Sequence, residues 1–192
     1  MTIWAKPFYN MNIGIIGQGF VGSAVYQKLK QFHTVLTFDL IPELSNSSYD
    51  NLVKNCEIIF ICLPTPMNSD GSCNLDIVKK VLTKLNSETK AIIVNKSTVV
   101  PGSTKEFNSL YKNLKIIFNP EFLRQRNAIE DFNNQNRIIL GGPKSAVHKL
   151  KKFYSKIFPD AIIIETSSNY AEMTKYLINS FLASKVSFAN EM

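Results

Sequence analysis

A lysine and an asparagine, Lys175 and Asn179, lie four residues apart in the last helical stretch of the sequence. Side chains at this spacing share one face of a helix. Their neighbours are mostly apolar: Tyr176, Leu177, Ile178, Phe181 and Leu182. This pattern predicts a buried helix, in which a lysine needs a partner or a shifted pKa. An amine and an amide directed into a cleft would suit an oxyanion or a developing alkoxide. The alternative is a lysine whose ammonium reaches solvent at the helix edge.

Two further polar residues follow strand-like runs. Glu121 comes directly after Asn119-Pro120, and the proline bars a continuing central strand, so the chain leaves the sheet where this carboxylate stands. Glu121 could be a general base or only a surface glutamate. Thr98 lies at a strand-to-helix junction within residues 96–104. Its hydroxyl could hold a ligand or a water, or the junction could be only a capped helix start.

Residues 17–22 read Gly-Gln-Gly-Phe-Val-Gly and follow an apolar strand directly. In a nucleotide-binding βαβ unit, the first glycine allows the tight turn and the second lets a pyrophosphate approach the backbone, while the third lets helix and strand pack closely. The next strand ends on an acid that would hold a ribose hydroxyl. No arginine directly follows this acid, which favours NAD over NADP because a carboxylate would repel a 2′-phosphate. The predicted cofactor contacts are Gly17, Gln18, Gly19, Phe20, Val21, Gly22 and Asp39.

Strand and helix signals alternate along the chain, which predicts an α/β fold: a Rossmann-like doubly wound parallel sheet with helices on both faces. The predicted strands are residues 11–16, 34–38, 56–63, 91–94, 114–118, 137–140 and 161–165. The predicted helices follow the glycine loop to about residue 32, then cover residues 49–55, 75–86, 101–112, a lysine-rich stretch after 143, and 169 to the end. Ligands bind beyond the carboxyl ends of such strands. Thr65, Thr98 and Glu121, which each follow a strand, should therefore rim one cleft.

Composition narrows the class of protein. With 192 residues and 45% hydrophobic composition, the chain can bury a substantial core as one domain or one domain plus part of another. No apolar run approaches the roughly 18 residues of a membrane span, and the N-terminus lacks an apolar signal core. We therefore expect no membrane partner. The three cysteines, Cys56, Cys62 and Cys73, lack metal-ligand spacing, which predicts reduced thiols, no metal site and a cytoplasmic protein.

The net charge of +7 raises the question of nucleic acid. Five of the lysines, however, fall along one predicted helix as its solvated face: Lys144, Lys149, Lys151, Lys152 and Lys156. No basic–aromatic ladder accompanies them. We expect no nucleic-acid partner, although the positive charge could steer a diphosphate-bearing ligand.

The chain resembles the UDP-glucose/GDP-mannose dehydrogenase family, which oxidises nucleotide sugars to uronic acids. The resemblance spans nearly the whole chain from Met11 and rests on five stretches: residues 17–22 with Asp39, 63–66, 96–104, 119–124 and 171–183. It implies NAD-dependent oxidation of the C6 hydroxyl of a nucleotide sugar to the acid, through an aldehyde and a cysteine thioester. A UDP-sugar is favoured because that branch of the family is the more prevalent.

The resemblance also implies residue roles. Lys175 and Asn179 would stabilise the oxygen at C6, and Glu121 would transfer a proton during thioester hydrolysis. Thr98 would position water beside the cofactor, which Thr65 would also contact. The sugar-nucleotide site would be lined, beside Glu121, Lys175 and Asn179, by Phe122, Leu123 and Arg124.

Two departures from the family pattern stand out. Gln125 occupies the position of a second family glutamate; it can hydrogen-bond the cofactor but cannot carry a proton as a carboxyl group does. The family's nucleophilic cysteine and second nucleotide-binding domain follow the lysine helix, beyond Met192. We therefore expect an N-terminal portion: residues 1–168 as the NAD-binding domain, with 1–10 as an extension, and 169–192 as the start of a long central helix. In the complete protein this helix would form a homodimer interface.

Two other hypotheses stay open. One is a hydroxyacid dehydrogenase with the same cofactor domain and a lysine and asparagine on the following helix, which residues 96–104 and 119–124 disfavour. The other is a non-catalytic NAD-binding module or remnant, which the missing nucleophile favours.

Overall fold

A computed structural model describes residues 10–192, so the predicted extension lies, except for Asn10, outside the described residues. Seven strands form one sheet: β1 Asn12–Ile16, β2 Thr34–Phe38, β3 Ile58–Ile61, β4 Ile92–Asn95, β5 Lys115–Phe118, β6 Arg137–Gly141 and β7 Ile162–Thr166. The helices are α1 Phe20–Leu29, α2 Tyr49–Asn55, α3 Asp76–Glu88, α4 Ser103–Leu110, α5 Ala128–Asn133, α6 Lys144–Ile157 and α7 Ser168–Glu191. Every predicted strand and helix is present, with ends that shift by a few residues. The sequence patterns missed α5 and two 3₁₀ turns, Pro42–Leu44 and Gln125–Asn127, which are too short to show a period.

The strand order is β2-β1-β3-β4-β5-β6-β7. After β2 the chain crosses to the far side of β1, so the topological switch point, where such sheets bind ligands, lies between β1 and β3. The Rossmann-like α/β fold is confirmed. One detail is wrong: β6 pairs antiparallel with β5, through Phe118 and Gly141. The short helix α5 packs against α1 instead of returning the chain across the sheet, and β6 therefore runs in the opposite direction.

Both faces of the sheet are covered, and side chains alternate between two cores. On β3, Ile58 and Phe60 belong to a core that also contains residues of α1, α5 and α6. Ile59 and Ile61 belong to a second core, shared with α2, α3 and α4. Burial on both faces explains why β3 is a continuous apolar run.

The last helix departs from the prediction of a buried helix. Only Ala171, Glu172 and Lys175 of α7 are buried. The apolar side chains beyond them are exposed, by 65% at Leu177 and 61% at Phe181, because only the first turns of α7 contact the sheet and α4. No helix between residues 10 and 192 is long and apolar enough to cross a membrane.

Candidate cofactor cleft and polar cluster

A cavity of about 730 Å³ lies at the carboxyl ends of β1, β3 and β4. The glycine loop and Asp39 form one wall, and residues 62–65 and 96–98 form the other. Thr65, Thr98 and Glu121 all line this cavity, which we call the cofactor cleft. The structure thus brings together three polar residues that the sequence places far apart.

The three loop glycines are needed for different reasons. Gly17 has a φ of +94°, and a Cβ on it would lie 2.3 Å from the carbonyl oxygen of Cys62. A Cβ on Gly22 would lie 1.9 Å from the carbonyl oxygen of Gly17, so its close contact is with the loop and not with the strand itself. A Cβ on Gly19 would meet nothing within 4 Å. The backbone at Gly19 is therefore open to an approaching ligand.

The start of α1 fits a bound diphosphate. The helix has no side-chain cap and no acidic residue in its first turn, so its positive end is not neutralised by the chain. The backbone N–H of Gln18 donates to Asp39 Oδ2 at 2.7 Å, and that of Ile41 donates to Asp39 Oδ1 at 3.0 Å. These bonds hold the Asp39 carboxylate beside the glycine loop, and its contact with a ribose stays a prediction.

Alanine substitutions should distinguish Gly19, whose backbone is open to a ligand, from Gly22, which packs against backbone. Gly19→Ala is expected to leave the fold intact and to weaken NAD binding by at least about tenfold, because the methyl group would occupy space open to the diphosphate. Gly22→Ala should instead lower the melting temperature, because its methyl group overlaps backbone. Calorimetric titration with NAD and thermal unfolding measure the two effects. Equal NAD affinity of Gly19→Ala and the unaltered chain would contradict this assignment.

Thr65 and Thr98 lie on neighbouring loops. The Thr65 hydroxyl donates to the Thr98 carbonyl oxygen at 2.8 Å, and Ser97 Oγ accepts from the Leu63 N–H at 2.9 Å. The two loops are therefore tied together on one wall of the cofactor cleft. The predicted roles of both threonines stay predictions.

Among residues 10–192, the most enclosed ion pair joins Glu121 to Lys175 at the edge of the cleft. Lys175 Nζ lies 2.9 Å from Glu121 Oε1, and the two side chains are 7% and 10% exposed. The ammonium also donates to the Glu121 carbonyl oxygen and lies over the Phe122 ring. Glu121 is thus not a surface glutamate, and Lys175 does not extend into solvent. Lys175 does not line the cleft itself and reaches it through Glu121.

The other predicted site residues lie farther out. The side chain of Asn179 is exposed and has no hydrogen bond among the residues described, so it does not join Lys175. Arg124 pairs with Asp131 through Nη2 and Oδ1 at 2.7 Å. The Leu123 N–H donates to Glu121 Oε2 at 2.7 Å. Gln125 lines a separate cavity beside Phe20.

Lys96 is a site residue that the sequence reasoning missed. Its side chain lines the cofactor cleft, yet the residue is only 4% exposed. Its ammonium donates to Asn119 Oδ1 at 3.1 Å, and the same oxygen accepts from the Tyr154 hydroxyl at 2.7 Å. Burial lowers the pKa of Lys96 to about 8, against the opposing effect of Glu121. The signal in the sequence is a charged residue directly after a buried strand.

Lys96 should make the free energy of unfolding depend on pH in the alkaline range. The amine in the unfolded chain has a pKa of 10.5, whereas in the folded protein it is about 8. Between these values the unfolded state binds more protons at this amine, so Lys96 by itself makes stability rise with pH by up to about 1.4 kcal/mol per unit, against the fall that the raised thiol pKa values of Cys56 and Cys62 cause above about pH 9. In Lys96→Met this rise should be absent, whereas Lys105→Met, which changes an exposed lysine, should keep it. Urea unfolding between about pH 7 and 10 measures the difference; parallel profiles for Lys96→Met and the unaltered chain would be inconsistent with a buried amine.

Cys62 also lines the cofactor cleft. Burial raises the pKa of its thiol to about 12, and that of Cys56 also to about 12. Since the thiolate is the nucleophile, neither thiol is activated near neutral pH.

Glu172 was also missed as a positioning residue. It is fully buried and caps α4 from α7: Oε2 accepts from the Gly102 N–H at 2.6 Å and Oε1 from the Thr104 N–H at 2.7 Å. Because Glu172 lies one helical turn before Lys175, this cap joins the helix carrying the lysine to the loop carrying Thr98.

Comparisons with known proteins agree with this geometry. Residues 41–158 match the model of the NAD-binding domain of the UDP-glucose/GDP-mannose dehydrogenase family. A UDP-glucose 6-dehydrogenase of Rickettsia bellii is 37% identical over 154 residues, which cover 76% of this chain and 36% of the relative. A UDP-glucose 6-dehydrogenase of Haloferax volcanii is 28% identical over 232 residues, covering 95% of this chain and 54% of the relative.

Among solved structures, a UDP-glucose dehydrogenase from Pyrobaculum islandicum superposes with a TM-score of 0.85 at 24% identity, over 99% of this chain and 54% of that one. The likeness shows a shared fold. The chain thus spans between about a third and a half of the length of these proteins.

Proposed function

This chain belongs to the UDP-glucose/GDP-mannose dehydrogenase family and carries its NAD-binding domain, and we propose that it supplies the NAD-binding half of an enzyme that oxidises the C6 hydroxyl of a nucleotide sugar to the acid. The observation that carries this proposal is the enclosed Glu121–Lys175 pair at the edge of the cofactor cleft. An acid–base pair beside a cofactor site suits oxidation of an alcohol. NAD, bound at the glycine loop and Asp39, supplies the hydride acceptor.

The chain's own residues divide the work. Lys175 places a positive charge where an alkoxide would develop, and Glu121, held by the Leu123 N–H and Lys175, is the group that moves a proton. Thr98 is the candidate for holding a water, with its loop fixed by Thr65. Asn179 is exposed in this arrangement, so its proposed contact with the C6 oxygen needs a side-chain movement or a covered α7.

The proposed substrate is a UDP-sugar, since the relatives cited from Rickettsia and Haloferax are both UDP-glucose 6-dehydrogenases. The proposed substrate contacts at the border of the cofactor cleft are Phe122, Leu123 and Arg124. Gln125 is a proposed cofactor contact. Family membership favours this substrate class over a hydroxyacid.

We also propose that residues 1–168 form the NAD-binding domain and that α7 begins a central helix which is covered in the complete protein by a second copy. The support is its exposed apolar surface, which includes Leu177, Phe181 and Val186. Light scattering on the chain and on Phe181→Glu tests this: the chain should form dimers and the variant monomers. A monomeric unaltered chain would refute self-association through this surface alone.

The function is tested by NAD titration followed by a search for NADH. The chain should bind NAD, and in the presence of UDP-glucose it should form more NADH than with GDP-mannose or without sugar. Failure to bind NAD would overturn the proposal. NAD binding without NADH from any sugar would favour either the alternative of a non-catalytic module or a fragment that needs the rest of the enzyme for turnover.

A further inference from the structure

A second cavity, of about 640 Å³, lies beside the start of α1. Its walls are the first turn of α1, with Phe20 and Ser23, and residues 125–134. Phe20 lines this cavity and the cofactor cleft alike, and its side chain is 43% exposed. The two spaces therefore adjoin at Phe20, where the glycine loop becomes a helix.

One cationic side chain lines the second cavity, that of Arg126. Its neighbour Arg124 is engaged by Asp131 through both the guanidinium and the backbone N–H. Arg126, in contrast, has neither a hydrogen bond nor an ion pair with any residue between 10 and 192. Its guanidinium, with five N–H donors, is thus available to a ligand.

Arg126 and Glu130 are the charged side chains on the walls of this cavity and balance one another, so the preference for an anion comes from the positive end of α1. The first turn of α1 contributes the positive end of a helix with no acidic residue. The opposing charge is Glu130, which lines the same cavity and accepts from Asn127 Nδ2 at 3.4 Å. The other polar side chains on its walls are uncharged: Ser23, Gln125, Asn127, Asn133 and Asn134.

We propose that Arg126 is a further diphosphate-binding residue, which contacts the anion from the second cavity, beside the α1 N-terminus. Planar guanidinium groups bind phosphate oxygens in pairs, and the α1 N-terminus and the arginine would share one negatively charged ligand. The chemistry is that of a diphosphate diester, which NAD and a UDP-sugar both contain. The part that concerns the UDP-sugar rests on the proposed function; the part that concerns NAD does not.

The test compares Arg126→Ala with Arg137→Ala, a matched control that removes the same charge from an exposed arginine outside both cavities. Calorimetric titrations with NAD and, separately, with UDP-glucose are made at low and at high salt. Arg126→Ala should weaken binding of at least one ligand by about five- to tenfold at low salt and less at high salt. Arg137→Ala should stay within about twofold. Glu130→Gln, which removes the opposing charge, should tighten binding of the same ligand by about twofold.

The outcomes identify the source of the diphosphate. A loss confined to NAD assigns Arg126 to the cofactor, and a loss confined to UDP-glucose assigns it to the substrate. If Arg126→Ala matches Arg137→Ala with both ligands, the proposal is overturned. NAD binding by the unaltered chain is measured in the same series, so a failure of the proposed function is seen separately.

Discussion

Glu172→Ala should destabilise the protein by about 3 kcal/mol, because two backbone N–H groups at the start of α4 would lose a carboxylate acceptor in a buried setting. Hydrogen bonds to charged groups are each worth about 1.5–3 kcal/mol. The α4 N-terminus has no cap of its own, since Gly102 stands there with a φ of +101°. For a chain of this size the melting temperature should fall by about 10 °C.

The control for this prediction is Glu165→Ala, which removes a carboxylate paired with Lys151 at the surface. An exposed pair contributes little, so we expect a change within about 0.5 kcal/mol. Glu172→Gln should fall between the two, because an amide keeps one acceptor oxygen but faces the second N–H with a donor. Similar melting temperatures for Glu172→Ala and Glu165→Ala would show that the cap does not hold α7 to α4.

Lys175→Met should cost about 3 kcal/mol of stability, because it leaves the enclosed Glu121 carboxylate without its cation. The double variant Lys175→Met/Glu121→Leu should recover most of this loss, since it removes both charges and replaces them with apolar side chains of similar size. Urea unfolding of the single variants, the double variant and the unaltered chain gives the coupling free energy, which we expect to be at least about 1 kcal/mol.

Substitutions of Lys175 and Glu121 should also affect the oxidation of the substrate. Lys175→Met and Glu121→Gln should each abolish any NADH formation with UDP-glucose while leaving NAD affinity within about threefold, because the proposed cofactor contacts, the glycine loop and Asp39, lie elsewhere in the cleft. In the unfolding experiment, a double variant whose loss of stability equals the sum of the losses in the two single variants would argue against a coupled pair. A large loss of NAD affinity would instead place Lys175 in the cofactor site.

Sequence patterns predicted those structural features whose physical cause lies in residues close together in the chain. The continuous apolar run of β3, the serine-capped start of α2 at Ser48 and the glycine-to-acid spacing from Gly17 to Asp39 are each set by residues close in sequence. The prediction that Thr65, Thr98 and Glu121 lie together also succeeded, because the carboxyl ends of parallel strands share one edge of a sheet.

Other features depend on partners distant in the chain. The cap that Glu172 provides to Gly102 crosses 70 residues, and no pattern around either residue indicates it. The burial of Lys96 follows from Asn119 and Tyr154, which two other elements supply. The antiparallel pairing of β6 with β5 depends on the packing of α5 against α1. Because α5 is too short to show a period of apolar residues, the sequence does not predict this pairing.

The sequence by itself determined the α/β alternation, the dinucleotide loop and the family, because these follow from the period of apolar residues and from closely spaced glycines that allow a tight turn, an open backbone and close packing. Only the tertiary structure decided that Lys175 pairs with Glu121, that Asn179 stays exposed and that Arg126 is unengaged. The reason is that burial and charge pairing depend on which surfaces meet in space, and an apolar helix such as α7 carries no local mark of what covers it.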